Sequence, residues 1–163
     1  MTIKSLVNIK GKVIFDIYGT VDDFEYYKSC INLSKSLPKN IKVNFLKPFN
    51  YQNLTKIVPR YHLFISMSKS ENFGHSIIEA IGCGLPIIIS KFTPWRNLAK
   101  ENIGFDIESS ELILYKTICK YLKMDNEEYR FSNKSVVSFY NKISNQIKLK
   151  QKYIYMLNKV LSS

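Results

Sequence analysis

The 163 residues include only three cysteines and two histidines. Cys30, Cys83 and Cys119 are widely spaced and odd in number, matching neither a zinc site nor a disulfide framework. Small buried thiols in a reducing cytosol are the better reading. His62 and His75 lack carboxylates at ligand spacing, so no metal centre is expected. No run of eighteen apolar residues occurs, so no helix is expected to cross a membrane. The first ten residues lack the long apolar core of a secretion signal. Internal repeats, low-complexity linkers and arginine-rich runs are absent too. Without those runs, zinc-finger spacing or a basic helix interleaved with aromatics, nucleic acid is not an expected partner.

What is present is a chain 45% hydrophobic with a formal charge of +11. It is long enough for one domain with a sizeable core. Lysine supplies nearly all of the charge, beside many Asn, Ile and Tyr, a mixture that AT-rich coding favours. A positive field draws nucleotide-sugars, anionic lipids or nucleic acid, so a membrane-surface role stays open.

Short apolar runs alternate with helical stretches. Lys12–Tyr18 reads as a buried strand closed by Gly19, and Asp22 and Asp23 cap a helix running to Ser36. Ile41–Leu46 is the next strand, Tyr51–Val58 a short helix, and His62–Ser66 a third strand. A helix from His75 to Cys83 ends at Gly84, and Pro86–Ser90 is a fourth strand. Pro94-Trp95 opens a further helix, and Ile103–Ile107 is a last short strand. Helices follow over 110–123, 126–140 and 144–161. The order predicts an α/β fold, a Rossmann-like parallel sheet with helices on both faces. Residues 1–108 form the core, and 109–163 form a helical segment completing the same domain.

Ligands of such sheets bind beyond the carboxyl ends of the strands. The loop Ser66–Gly74 lies there and carries Glu71, with Glu79 eight positions on. The first amides of a helix lack intrahelical partners and sit at the positive end of its dipole, which suits a phosphate. A carboxylate one turn further in can accept from two adjacent hydroxyls. A ligand with both phosphate and sugar, such as a nucleotide-sugar, fits that pair. In the helix, Ile77, Ile78, Ala80 and Ile81 share a face that packs on the sheet, with Glu79 nearly opposite beside His75 and Cys83. Alone, Glu79 would read as a solvated surface charge; its place after this loop makes it a site candidate.

Glu71, seven intervening residues and Glu79, with Phe73-Gly74 between and Ala80, Gly84-Leu85-Pro86 after, resemble the E-x7-E motif of glycosyltransferase family 4. These are retaining enzymes of the GT-B fold. The resemblance runs from about Val13 to Ile107. Phe15-Asp16-Ile17-Tyr18-Gly19 is similar to the strand and turn before the motif in bacterial polysaccharide glycosyltransferases, and Thr93–Leu98 with Ile103-Gly104 is similar to the segment after it.

The resemblance implies that Glu71 contacts the transferred sugar as the catalytic carboxylate and that Glu79 holds the ribose hydroxyls. Amides around Asn72, Phe73 and Gly74 would approach the sugar, and those of His75, Ser76 and Ile77 would receive the diphosphate. Gly74 would keep the backbone free to approach. Gly19 belongs to the same rim, and Lys47-Pro48-Phe49 sits where the family lines the base. His75 reads as a structural or ligand-shell residue and Trp95 as a packing anchor at a helix start. The implied chemistry uses no metal and no cofactor beyond the nucleoside-diphosphate sugar donor.

The same resemblance covers most of the carboxy-terminal half of a GT-B enzyme. The Arg and Lys that precede this segment in the family, and neutralise the leaving diphosphate, have no counterpart in Lys4, Lys10 or Lys12. Loss of such cations removes several kcal/mol of transition-state stabilisation, on the order of 10³-fold in rate. The leading expectation is the donor-binding half of a sugar transferase of a capsule, O-antigen or lipopolysaccharide pathway, cytoplasmic or peripheral at the inner membrane face. Its partners would be the donor and an N-terminal GT-B half. The alternative is a non-catalytic, truncated or split module that binds nucleotide or a partner protein. The last helix, with Ile147, Tyr153, Ile154, Met156, Leu157 and Val160, would cover an exposed face or dock on that half.

Overall fold

The computed structural model describes the backbone of residues 1–161 and the side chains of residues 1–145. In order, the elements are α1 (Thr2–Ser5), β1 (Val13–Tyr18), α2 (Phe24–Lys35), β2 (Ile41–Leu46), α3 (Leu54–Ile57), β3 (Phe64–Ser66), α4 (His75–Gly82), β4 (Ile87–Ser90), β5 (Gly104–Ile107), α5 (Glu111–Lys123) and α6 (Asn126–Leu161). Every strand pair is parallel, as the alternation of strands and helices predicts. The strands divide into two sheets, however, β1-β2 and β3-β4-β5, where a single sheet was expected. No ladder joins β1 to β3. Large side chains, including Asp16, Tyr18 and Tyr61, lie between them instead, around a cavity of about 370 Å³.

β4 is the centre of the packing. Ile87 and Ile89 face Ile77, Ala80 and Ile81 of α4 and Val136 of α6, with Leu98 and Ile103 completing the cluster. Ile88 faces the other way, against Leu6 and Ile9 after α1, Leu114 and Ile118 of α5, and Ile41 of β2. All three isoleucines are fully buried. An uninterrupted apolar run is what a strand covered on both faces requires. Beside it, Gly104 of β5 has φ +150°, and a Cβ built there would lie 1.9 Å from the Ile87 carbonyl oxygen. Only glycine fits at that approach.

Side-chain caps open α2, α5 and α6. Asp23 accepts the Tyr26 N–H at 2.9 Å and so opens α2. Asp125 accepts the amides of Glu127 and Glu128, while Glu128 returns a bond to the Asp125 N–H, a reciprocal cap at the start of α6.

Four expectations change. Residues 51–60 form a one-turn α3 flanked by 3-10 turns at Tyr51–Asn53 and Val58–Arg60, because Pro59 removes a donor. Pro94-Trp95 opens no helix; the segment from Lys91 to Asn102 is turns, with Asn97 at φ 60° and Asn102 at φ 55°. The helices expected over 126–140 and 144–161 are one continuous α6, since Asn141 to Ser144 contains no Gly or Pro to break it. α1 was not foreseen; four residues are too few to show a period, yet its Ile3 is buried. The side chains expected to cover a face from Ile147 to Val160 lie outside the described residues.

Candidate functional site

At the carboxyl ends of β1 and β2, a cavity of about 240 Å³ is lined by Tyr18, Pro48, Phe49, Tyr51, Leu54 and Glu79. It adjoins the larger cavity between the sheets, with which it shares Tyr18, Phe49, Leu54 and Glu79. The fold assembles this wall from distant segments: β1 ends at Tyr18, β2 delivers Pro48 and Phe49, and α4 presents Glu79 on the face away from its buried Ile77 and Ile81. Tyr18 meets Phe49 edge-to-face at 4.9 Å, which fixes the aromatic side of the cavity. Glu79 is half-buried, and an ionised carboxylate there accepts hydrogen bonds and donates none. Burial, and then the charge of Glu79, push the neighbouring Cys83 thiol up.

The turn into α4 has its own geometry. Gly74 is buried at the helix start with φ 79° and ψ 63°, the left-handed region. A Cβ there would lie 2.7 Å from Cδ1 of Ile77. The glycine is therefore demanded by the turn itself and by Ile77; the expectation had been ligand approach alone. Glu71 folds back so that Oε1 accepts the Gly74 N–H at 3.2 Å. The Gly74 carbonyl in turn accepts from Ile77 and Ile78 at 3.0 and 3.1 Å. Trp95 donates its indole N–H to the Phe73 carbonyl, and the Phe73 ring lies 5.2 Å from that of His75. Arg96 donates to the carbonyls of Thr93, Trp95 and Lys91, holding the segment after β4.

The sequence-predicted residues thus fall into groups. Glu79, Pro48, Phe49 and Ser76 come together at the two cavities. Glu71 lines neither of these two cavities; its carboxylate closes the turn before α4. Gly19 and Lys47 are exposed and outside both cavities, and the Gly19 N–H donates to the Leu46 carbonyl at 3.3 Å. Asn72 and His75 are exposed, and Phe73 is 44% exposed. The Ile77 amide is already bonded within the helix, which leaves those of His75 and Ser76 as the unpartnered amides at this helix start among the described residues. Trp95 anchors the loop, though from a turn and not from a helix start. Among the described residues no three of His, Cys, Asp or Glu group as a metal site, and no helix is long and apolar enough to cross a membrane. The three thiols are unpaired and half-buried.

Reading from sequence missed Asp16, Asn44 and Tyr61. Tyr61 donates to Asp16 Oδ2 at 2.6 Å, Asn44 donates to Asp16 Oδ1 at 2.6 Å, and the Tyr18 and Tyr61 hydroxyls are 2.8 Å apart. The signal was the i, i+2 spacing of Asp16 and Tyr18, which puts both on one face of β1 at its carboxyl end.

Comparison with known proteins agrees with this architecture. The family model described as glycosyl transferases group 1 matches residues 2–135. The chain is 35% identical over 77 residues to the GtfA subunit of a UDP-N-acetylglucosamine–peptide N-acetylglucosaminyltransferase from Streptococcus agalactiae, a match covering 47% of this chain and 14% of that protein. Among solved structures, Anabaena HepE in complex with UDP-glucose aligns with a TM-score of 0.76 at 18% identity, covering 97% of this chain and 44% of that one. The pneumococcal O-GlcNAc transferase GtfA in complex with UDP and GlcNAc aligns with a TM-score of 0.62 at 23% identity, covering 94% and 32%. The chain therefore spans less than half the length of these relatives. With a family match over most of its length and the parallel α/β architecture of GT-B glycosyltransferases, the chain belongs to the group 1 glycosyl transferases.

Proposed function

We propose that this chain is the donor-binding half of a retaining sugar transferase, holding a nucleoside-diphosphate sugar at the carboxyl ends of its strands. The observation that carries the reading is the meeting of Glu79 with Pro48, Phe49 and Tyr18 around one cavity beside the start of α4. The aromatic and proline wall suits a flat base. Glu79 accepts from the two ribose hydroxyls, and the His75 and Ser76 amides, at the positive end of the α4 dipole, receive the diphosphate. Amide stabilisation of developing phosphate charge is an electrostatic contribution that needs no proton transfer. Glu71 acts at the transferred sugar only after its bond to the Gly74 N–H opens or is shared, and Asn72, Phe73 and Gly74 form the adjoining rim.

Solved relatives described with UDP and a sugar support the donor class. The acceptor is a glycan or lipid-linked saccharide of a bacterial surface polysaccharide, met on the cytoplasmic side. Transfer requires a complementary half that brings the acceptor and the cations for the leaving diphosphate. A structure described as a GtfA/B complex supports association with a second chain as a second reading, in which this chain binds nucleotide without transferring sugar alone.

Titration calorimetry with UDP and GDP tests the site. The chain binds one of them, and Glu79→Ala weakens that binding about 10- to 100-fold, the range of a lost charge-assisted hydrogen-bond pair. Equal binding by the variant would return Glu79 to the solvated surface and end the proposal. Sugar transfer by the purified chain alone would refute the need for a complementary half.

A further inference from the structure

The carboxylate of Asp16 sits between the two sheets and makes two short bonds. Its Oδ1 accepts from Asn44 Nδ2 and its Oδ2 accepts from the Tyr61 hydroxyl, each at 2.6 Å. An ionised carboxylate has no proton to donate. The Tyr61 proton is therefore committed to Asp16, and the Tyr61 oxygen can only accept from Tyr18, 2.8 Å away. That fixes the Tyr18 proton on the Tyr61 side. What Tyr18 retains for any ligand is a lone pair. Burial, followed by its bonds to Asp16 and Tyr18, pushes the Tyr61 hydroxyl far above its ordinary value, so the middle of the chain keeps its proton.

We propose that Asp16, acting through Tyr61, is a positioning residue that makes Tyr18 a hydrogen-bond acceptor at the base cavity, and so selects a base whose ring N–H can donate to it. The inference rests on the nucleotide reading of that cavity. Tyr18 is the member common to both cavities and to the relay, and its ring is held edge-on to Phe49. With Glu79 also accepting, two of the three polar side chains that line this cavity, Tyr18 and Glu79, present acceptors, a match for hydroxyls and a lactam N–H; the third, Tyr51, is 74% exposed. Uracil and guanine carry such an N–H; cytosine and adenine have an acceptor nitrogen at the corresponding ring position. A site built to receive a donor rejects the analogue without one because its own polar group is left unpaired.

Asp16→Asn is the informative variant, because shape and bond count survive while polarity inverts. Asn44 still donates to the amide oxygen at position 16, so the new NH₂ faces Tyr61. Tyr61 then accepts there, donates to Tyr18, and frees the Tyr18 proton toward the cavity. The probes are UDP with N3-methyl-UDP and GDP with N1-methyl-GDP, each pair differing at the ring N–H, together with ADP and CDP.

The expected result is that the parent prefers the unmethylated member of the pair it binds. Asp16→Asn shrinks that preference roughly tenfold, chiefly through weaker binding of the unmethylated nucleotide. Tyr18→Phe shrinks it as well, and Asp16→Asn adds nothing in the Tyr18→Phe background, as coupling through one oxygen requires. Steric rejection of the methyl group alone would persist in every variant. An unchanged preference in Asp16→Asn, with Glu79→Ala still weakening the nucleotide, overturns the relay and leaves the nucleotide reading standing. ADP or CDP binding more tightly than UDP and GDP also overturns it. Absence of binding by every nucleotide overturns both.

Discussion

Trp95 donates its indole N–H to the carbonyl of Phe73 at 2.7 Å, tying the segment after β4 to the loop before α4. The two residues also stack edge to face, with ring centroids 6.1 Å apart. On the far side Trp95 meets Phe139 of α6 at 6.4 Å. The turn that carries Glu71 and Gly74 is thus fixed from outside by one hydrogen bond and an aromatic chain.

Trp95→Phe keeps an aromatic ring and removes the donor. A net hydrogen bond contributes about 0.5–1.5 kcal/mol, so thermal unfolding should fall by only a few degrees. Nucleotide affinity should fall roughly three- to tenfold, because the amides at the start of α4 lose their support. Calorimetry alongside a melting curve separates the two effects; an affinity equal to the parent's would detach this latch from the site.

Ile88 is the side chain through which β4 reaches the layer formed by α1 and α5. Ile88→Ala should cost about 2–5 kcal/mol, the range for a fully buried large-to-small change. Ile14→Ala, on a side chain 57% exposed in β1, should cost well under half of that. Urea titrations of both variants give the comparison, and equal losses would contradict the two-faced burial of β4.

Gly104→Ala sets a Cβ against the Ile87 carbonyl at φ +150°. Strain in that region together with backbone displacement should destabilise the chain by about 3 kcal/mol or more. The readout is a much lower denaturant midpoint or failure to accumulate as folded protein.

Alkaline pH should destabilise the chain through its tyrosines. Burial raises Tyr121 well above its ordinary value, and Tyr61 is raised in the same direction. Above about pH 10 the unfolded chain releases these protons while the folded chain retains them. The folded state then binds more protons, so unfolding free energy falls as pH rises. Tyr121→Phe should flatten that fall between about pH 10 and 12, as followed by urea unfolding at each pH. An unchanged slope would mean that Tyr121 titrates alike in both states.

Features written in local pattern were legible before any coordinates. The strand Ile41–Leu46 and the helix from His75 follow from alternation and from the Gly84-Leu85-Pro86 stop, and the parallel pairing follows from their order. Glu79 was legible as well, because helical spacing separates it from Ile77 and Ile81. Interactions that depend on chain-distant partners were not. Tyr61 meets Asp16 across 45 positions, and nothing near either residue announces the other. Glu71 illustrates a different limit: its spacing from Glu79 was evident, but a carboxylate three residues before an unpaired amide also makes a good turn closure, and local hydrogen bonding directs it there. Trp95 likewise looked like a helix opener after Pro94, while Arg96 and its carbonyl partners hold that segment as turns.

The missing ladder between β1 and β3 leaves a mechanical fault line through the middle of the molecule. Displacement along it breaks no backbone hydrogen bond of either sheet, whereas any movement within β3-β4-β5 must break several. Amide exchange should therefore divide the chain into two cooperative blocks, with β1 and β2 opening ahead of β4. A nucleotide bridging Tyr18 and Glu79 would clamp the fault from its open end, and slow exchange in the first block.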